Sequence, residues 1–195
     1  MFIYRKEEAI PQQLCDSFIE AFENSPQYHH PGVLYGAEGS SSTSSKKSTD
    51  ISFTPEWLNK PIWGNLLNQL VSIVNQNASN YYLRFQTAFD KLDHSELSPM
   101  FNMQRYLPGE GFSSYHCERA SLKYSNRILA WMVYLNDVTD RGETEFYYQH
   151  HFEPAKQGKL VIWPSDWTHL HRGISSPTQT KYILTGWFTH LPNLN

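Results

Sequence analysis

His116 and Glu118 stand two residues apart in Tyr115-His116-Cys117-Glu118, and His171 lies far downstream, followed ten positions later by Lys181. Side chains at i and i+2 of a β-strand share a face, so the spacing predicts that His116 and Glu118 converge on one ion. A third ligand from a distant strand would complete two imidazoles and one carboxylate on one side of a metal. Positions opposite them stay open, as non-haem Fe(II) oxygen chemistry requires. The absence of thiolates in the set argues against a structural zinc site. Lys181 suggests what fills the open positions: a dicarboxylate whose far end needs a counter-charge. Among nine histidines a lone His-x-Glu is weak evidence, and an exposed polar strand explains it equally well. The ordered set His116, Glu118, His171, Lys181 is far more specific.

The elements that must position these residues change character near residue 100. An amphipathic helix is expected from Pro11 to about Asn24, with Leu14, Phe18, Ile19 and Phe22 at helical spacing. Pro11 suits its first turn. A short strand pattern around Phe2–Tyr4 precedes it. The serine-rich stretch 36–50 reads as a flexible linker, with a mobile lid as the sharper alternative. A helical block then runs from about Pro55 to Phe89, with a break near Asn75–Asn80. From Phe101 the pattern turns to short β-runs at 101–107, 113–118, 127–136, 144–149, 159–163, 168–172 and 181–190, punctuated by Gly and Pro. The expected fold is α+β and mostly β: a single domain, 1–195, in which residues 1–99 give helical support and 100–190 form a β-sandwich or jelly roll.

Composition sets limits. A length of 195 residues suits one sizeable core. The formal charge of −3 gives no general attraction to nucleic acid or anionic membrane, and no apolar run is long enough to span a bilayer. The first residues lack the apolar core of a secretory signal, and two cysteines are too few for a disulfide framework. A cytoplasmic protein is the expectation. Cys117 should point away from the metal face in a buried apolar role.

The stretch from about Met100 to His190 resembles the prolyl 4-hydroxylase-like group of Fe(II)/2-oxoglutarate dioxygenases. The resemblance rests on Gln104-Arg105-Tyr106, the His116/Glu118 pair, Met132-Val133-Tyr134-Leu135-Asn136-Asp137 and Gly142-Glu143-Thr144. It continues through Gly158-Lys159-Leu160-Val161-Ile162-Trp163, His171-Arg172-Gly173 and Lys181 through Phe188. It implies a double-stranded β-helix core that uses Fe(II), 2-oxoglutarate and molecular oxygen, with ascorbate as an auxiliary. The implied reaction is oxidative decarboxylation of 2-oxoglutarate coupled to hydroxylation of a substrate carbon. The metal ligands become His116, Glu118 and His171. His169 would share a strand face with His171 but fits neither the His-x-Gly pattern nor the interval to the lysine, so it is assigned to the second shell or the pocket rim. Lys181 would pair with the far carboxylate. Tyr106 and Tyr134 would donate to the cosubstrate, and Thr144 and Trp187 would wall the pocket. One departure is notable: the family usually carries Asp where this chain has Glu118.

A peptidyl proline or another protein side chain is the leading substrate class, by family analogy alone; a free amino acid or small metabolite is the alternative. Arg84, Arg105, Arg119 and Arg127 are candidates for substrate contact. A cupin-type oxygenase with another cosubstrate, or a catalytically silent binding module, are the competing readings. His29-His30 and His150-His151 read as loop or surface residues, since adjacent strand residues face opposite sides.

Overall fold

The structure is a computed structural model that describes residues 2–35, 41–42 and 45–190. Its frame is one eight-stranded antiparallel sheet. The strands run Tyr4–Lys6, Leu160–Pro164, Arg127–Tyr134, Lys181–His190, Phe101–Tyr106, Thr49–Phe53 and His30–Pro31 in spatial order, with Ser95–Leu97 paired to the end of Lys181–His190. A smaller sheet is made of His151–Glu153, Thr144–Phe146 and His171–Gly173, in that order. The mostly β fold with N-terminal helices is that expected, and its antiparallel sheets are consistent with a jelly-roll core. No helix among the described residues is long and apolar enough to cross a membrane.

The two faces of the large sheet differ because strand side chains alternate. Leu129, Trp131 and Val133 join Met103, Ile51, Phe53, Leu160, Ile162, Leu184 and Phe188 in a core on one face. That core is closed by helix α1 (Gln12–Glu23) through Leu14, Cys15, Phe18 and Phe22. Helix α2 (Pro61–Arg84) adds Trp63, Leu67, Leu70, Val74 and Tyr81. The intervening residues Ala130, Met132 and Tyr134 point the other way with Tyr106, Val161, Trp163 and Ile183, and there meet Phe146 of the small sheet. Helices therefore cover one face, and the second face meets the small sheet.

Three expectations need correction. Residues 1–99 supply more than helical support, because four of the eight strands come from them. The break near Asn75–Asn80 is absent: Asn77 Nδ2 donates to the Ile73 carbonyl while its Oδ1 accepts from the Tyr4 hydroxyl, so the polar residue is satisfied inside the helix. The serine-rich stretch 36–50 is in part strand, beginning with Ser41–Ser42, which pairs with Leu34–Tyr35. Residues 36–40 and 43–44 lie outside the described residues, but Lys46–Lys47 and Thr49–Phe53 are strands, with Lys46, Ser48 and Asp50 buried.

Gly186 shows how tightly the helix-side face is packed. A Cβ there would lie 2.7 Å from Phe101 Cβ and 2.8 Å from the Trp131 ring. Gly186→Ala should therefore destabilise the fold by about 1–3 kcal/mol through overpacking. Denaturant unfolding followed by tryptophan fluorescence checks this, and unchanged stability would show that the sheet yields at this point.

Candidate active site

His116 and His171 are joined by an isolated antiparallel bridge: each backbone N–H donates to the other's carbonyl at 3.0 Å. His116 is thus not on the expected 113–118 strand. The regular strand ends at Gly111–Phe112, and the bridge alone sets the register. Phe112 stacks on the His116 ring at 3.7 Å and 7°. Trp163 and Phe146 pack against His171, with ring centroids 5.1 and 5.7 Å away.

The nitrogens and oxygens of the three expected ligands lie within 4.8 Å of one another. Nδ1 of His116 lies 3.0 Å from the Ser114 carbonyl, and Nδ1 of His171 lies 2.9 Å from the His169 carbonyl. A carbonyl oxygen only accepts, so both Nδ1 atoms carry protons and both Nε2 atoms offer lone pairs. Glu118 Oε1 sits 3.6 Å from His116 Nε2 and 3.4 Å from His171 Nε2. Its other oxygen, Oε2, accepts from Trp187 Nε1 at 2.7 Å and from Arg127 Nη1 at 3.4 Å. Each candidate ligand is therefore fixed by a hydrogen bond on its far side and free on its near side, as a metal site requires.

Electrostatics agree with this arrangement. Burial alone would push the Glu118 carboxyl up, but its contacts with His171 and His116 and the Arg127 guanidinium outweigh that and hold it at about 2. Burial, with the adjacent His171, lowers His116 to about 4. At neutral pH Glu118 is thus a carboxylate and His116 a neutral imidazole, forms that bind a metal.

These residues line a cleft of about 1000 Å³ between the two sheets, together with Tyr106, Thr144, Lys181 and Trp187. Lys181 is 5% exposed. Its Nζ donates to the Gly142 carbonyl at 3.0 Å and the Ile174 carbonyl at 3.5 Å, and lies 5.2 Å from the centre of the Tyr106 ring. Among the described residues it has no carboxylate within 4.0 Å. Burial lowers its pKa to about 8, against the opposing pull of Glu143.

Several expectations change. Tyr134 does not line the cleft: it lies behind Thr144, donating to Thr144 Oγ1 at 2.7 Å, so it can reach a cosubstrate only through that hydroxyl. Tyr106 does line the cleft, but its proton goes to Gln104 Oε1 at 2.7 Å. Trp187 is more than a wall, since its indole orients Glu118. His169 shares no strand face with His171. It lies in the 3-10 turn Trp167–His169, buried, and serves His171 through its backbone carbonyl. Cys117 does not turn away from the site but is partly exposed on the cleft wall. Of the four arginines only Arg127 lines the cleft; Arg105 pairs with Glu23 and Arg119 with Asp166. Of the paired histidines, His150 stays on the surface and His151 pairs with Glu153, whereas His30 reaches the cleft.

Sequence reasoning missed Lys46, Asp50 and Gln104, all buried in the cleft wall. The signal was alternation in Lys46-Lys47-Ser48-Thr49-Asp50, whose inward residues are all polar and so show no hydrophobic period.

Residues 101–189 match the family model of the 2OG-Fe(II) oxygenase superfamily. No curated protein sequence matches the chain. Among solved structures the fold is similar to the viral collagen prolyl hydroxylase of Paramecium Bursaria Chlorella virus-1 in its 2OG complex, at 17% identity and TM-score 0.68, covering 98% of this chain and 97% of that one. A Pseudomonas putida prolyl-4-hydroxylase is similar at 16% identity and TM-score 0.71, covering 96% and 92%. A Trichoplax adhaerens prolyl hydroxylase, solved with a hypoxia inducible factor peptide fragment, is similar at 13% identity and TM-score 0.74, covering 96% and 83%.

The ligand geometry makes a ranked expectation. His171→Ala should remove most Mn(II) or Fe(II) binding, His169→Ala should retain it, and Trp187→Phe should weaken it about 10-fold or more by releasing Glu118. Isothermal titration of the three variants tests the order, and a metal-free His169→Ala would reverse the assignment of the distal ligand.

Proposed function

Taking the chain as a 2OG-Fe(II) dioxygenase, we propose that it hydroxylates a carbon centre in a peptide, a prolyl residue first among candidates, with a free amino acid or small metabolite as the second reading. The observation that carries the oxygenase chemistry is the convergence of His116 Nε2, Glu118 Oε1 and His171 Nε2 in one cleft with the buried cation of Lys181. The donor set fits Fe(II): two imidazoles and one carboxylate, with their outer atoms already occupied. When bound, the metal supplies oxygen activation coupled to decarboxylation of 2-oxoglutarate. The peptide reading is supported by analogy with prolyl hydroxylases that share the fold, one of them solved with a peptide.

The chain's own groups divide the remaining work. Lys181 takes the far carboxylate of the diacid, exchanging weak carbonyl contacts for a charge-assisted pair. Phe112, Trp163 and Phe146 wall the imidazoles with rings and keep solvent from that side of the ligands. Arg127, stacked 3.6 Å over the Trp187 ring, and Asn102 and Thr185 from the sheet face line the rest of the cleft as its substrate-binding part. Incubation of the protein with Fe(II), 2-oxoglutarate and a panel of proline-containing peptides and free amino acids, read by mass spectrometry, tests the substrate class. A gain of one oxygen on a free amino acid alone would transfer the proposal to the second reading.

Two outcomes follow for Lys181. Lys181→Ala should weaken 2-oxoglutarate binding on the order of 10²-fold, the loss of a buried charge-assisted pair, with metal affinity unchanged. The pH dependence has a definite sign. Because the free protein's Lys181 titrates near pH 8 and only the ammonium pairs with a carboxylate, affinity should be level below pH 8 and fall as pH rises through it, by up to about tenfold per unit. Lys181→Arg should stay level over the same range, since guanidinium keeps its proton. Anaerobic calorimetry between pH 7 and 9 distinguishes them, and parallel profiles would exclude Lys181 as the titrating anchor.

A further inference from the structure

The wall of the cleft beside Lys181 contains a directed chain of hydrogen bonds that starts at Asp50. Asp50 is 3% exposed and accepts three donors: Lys46 Nζ at 2.8 Å and Gln104 Nε2 at 3.1 Å on Oδ2, and Ser48 Oγ at 2.7 Å on Oδ1. A carboxylate can only accept. Gln104 must therefore turn its amide nitrogen toward Asp50, which leaves Oε1 facing the Tyr106 hydroxyl, and that hydroxyl donates to it at 2.7 Å. All five side chains are buried, and Lys46, Asp50, Gln104 and Tyr106 line the cleft. Asp50 and Gln104 are cross-strand partners, and so are Tyr106 and Lys181. A diacid held by Lys181 thus lies beside a phenol whose single proton is already committed.

We propose that Asp50 is a positioning residue that, acting through Gln104, holds the Tyr106 hydroxyl as an acceptor rather than a donor toward the cosubstrate pocket. The inference rests on the reading of Lys181 as the 2-oxoglutarate anchor. It follows that Tyr106 contributes no hydrogen bond to the diacid in the native chain, and that the anchor's grip is set by Lys181. Removing the directing charge reverses the chain. A carboxamide at position 50 offers its own N–H to Gln104 Oε1, so Gln104 can flip and donate to the phenol oxygen, and the Tyr106 proton is released toward the pocket. Removing the acceptor at Gln104 releases the same proton while the Asp50 carboxylate stays in place with two of its three donors, Lys46 and Ser48.

The test is 2-oxoglutarate binding to the anaerobic, Mn(II)-loaded full chain by calorimetry, in Asp50→Asn and Gln104→Leu, each with and without Tyr106→Phe. Each variant should tighten binding roughly three- to tenfold, the net worth of about one hydrogen bond. Each should change it less than about twofold when the Tyr106 hydroxyl is absent, by the logic of a double-mutant cycle. Mn(II) affinity should be unchanged throughout. If Asp50→Asn does not fold, since it leaves Lys46 without its buried partner, Gln104→Leu decides alone. Unchanged or weaker binding in a folded variant, or an equal change with and without the hydroxyl, overturns the role given to Asp50. Failure of the wild-type protein itself to bind 2-oxoglutarate would instead overturn the reading of the cosubstrate, and this inference with it.

Discussion

Two backbone hydrogen bonds, His116 N–H to His171 O and His171 N–H to His116 O, hold the site together. They place two candidate ligands that are far apart in sequence directly opposite each other on antiparallel chains, where side chains share a face. Everything else about the candidate ligand set depends on that register. A slip of one residue would turn both imidazoles to the outer face and replace them with their neighbours. The bridge has no regular strand around it on the His116 side, so packing must enforce it. Phe112 stacks on His116, and Trp163 and Phe146 close against His171. Because Phe112 belongs to a two-residue strand paired with Lys46–Lys47, the segment just before Thr49 also helps to hold His116 in place.

Glu118 ties this small assembly to the large sheet. Its Oε2 reaches Trp187 on the strand Lys181–His190 and Arg127 on the neighbouring strand, while Oε1 faces the two imidazoles. The longer arm of Glu relative to Asp lets one carboxylate span both tasks. The Arg127 guanidinium carbon in turn lies 3.6 Å from the centre of the Trp187 ring and 4.1 Å from that of Tyr124, so its cation is held by two rings as well as by the carboxylate. The departure from Asp is thus matched by partners at the distance the extra methylene reaches.

How much of this was legible in the sequence depended on whether the signal was chemical or geometric. His116, Glu118, His171 and Lys181 could be read because their residue types are costly to bury and their order is specific. Helix α1 and the strand Lys181–His190 were legible because apolar periodicity survives in them. The strand Thr49–Phe53 was hidden by the serine-rich segment before it, and its cleft-side Asp50 and Ser52 carry no hydrophobic period. The direction of the Tyr106 proton was not legible at all, since it depends on a carboxylate 56 positions earlier acting through a glutamine amide. The strand expected at 168–172 failed for a related reason: Trp167–His169 forms a turn whose last carbonyl is needed by the His171 ring.

The two buried lysines of the cleft carry the argument one step further. Lys46 and Lys181 are equally hidden, each 5% exposed, yet only Lys46 has a carboxylate, Asp50, at 2.8 Å. Lys181 is left with two carbonyl oxygens, and burial costs it enough stability as a cation to bring its pKa to about 8. A fold that needed a lysine there only for packing would gain by pairing or replacing it. An unpaired ammonium at the back of a cleft instead favours whatever brings a negative charge to it, because the cost of burying the cation is recovered only when the anion arrives. Under the proposed function, selectivity for a diacid over a monoacid would follow from that imbalance, because a monoacid held at the candidate metal site would leave Lys181 as unpaired as before.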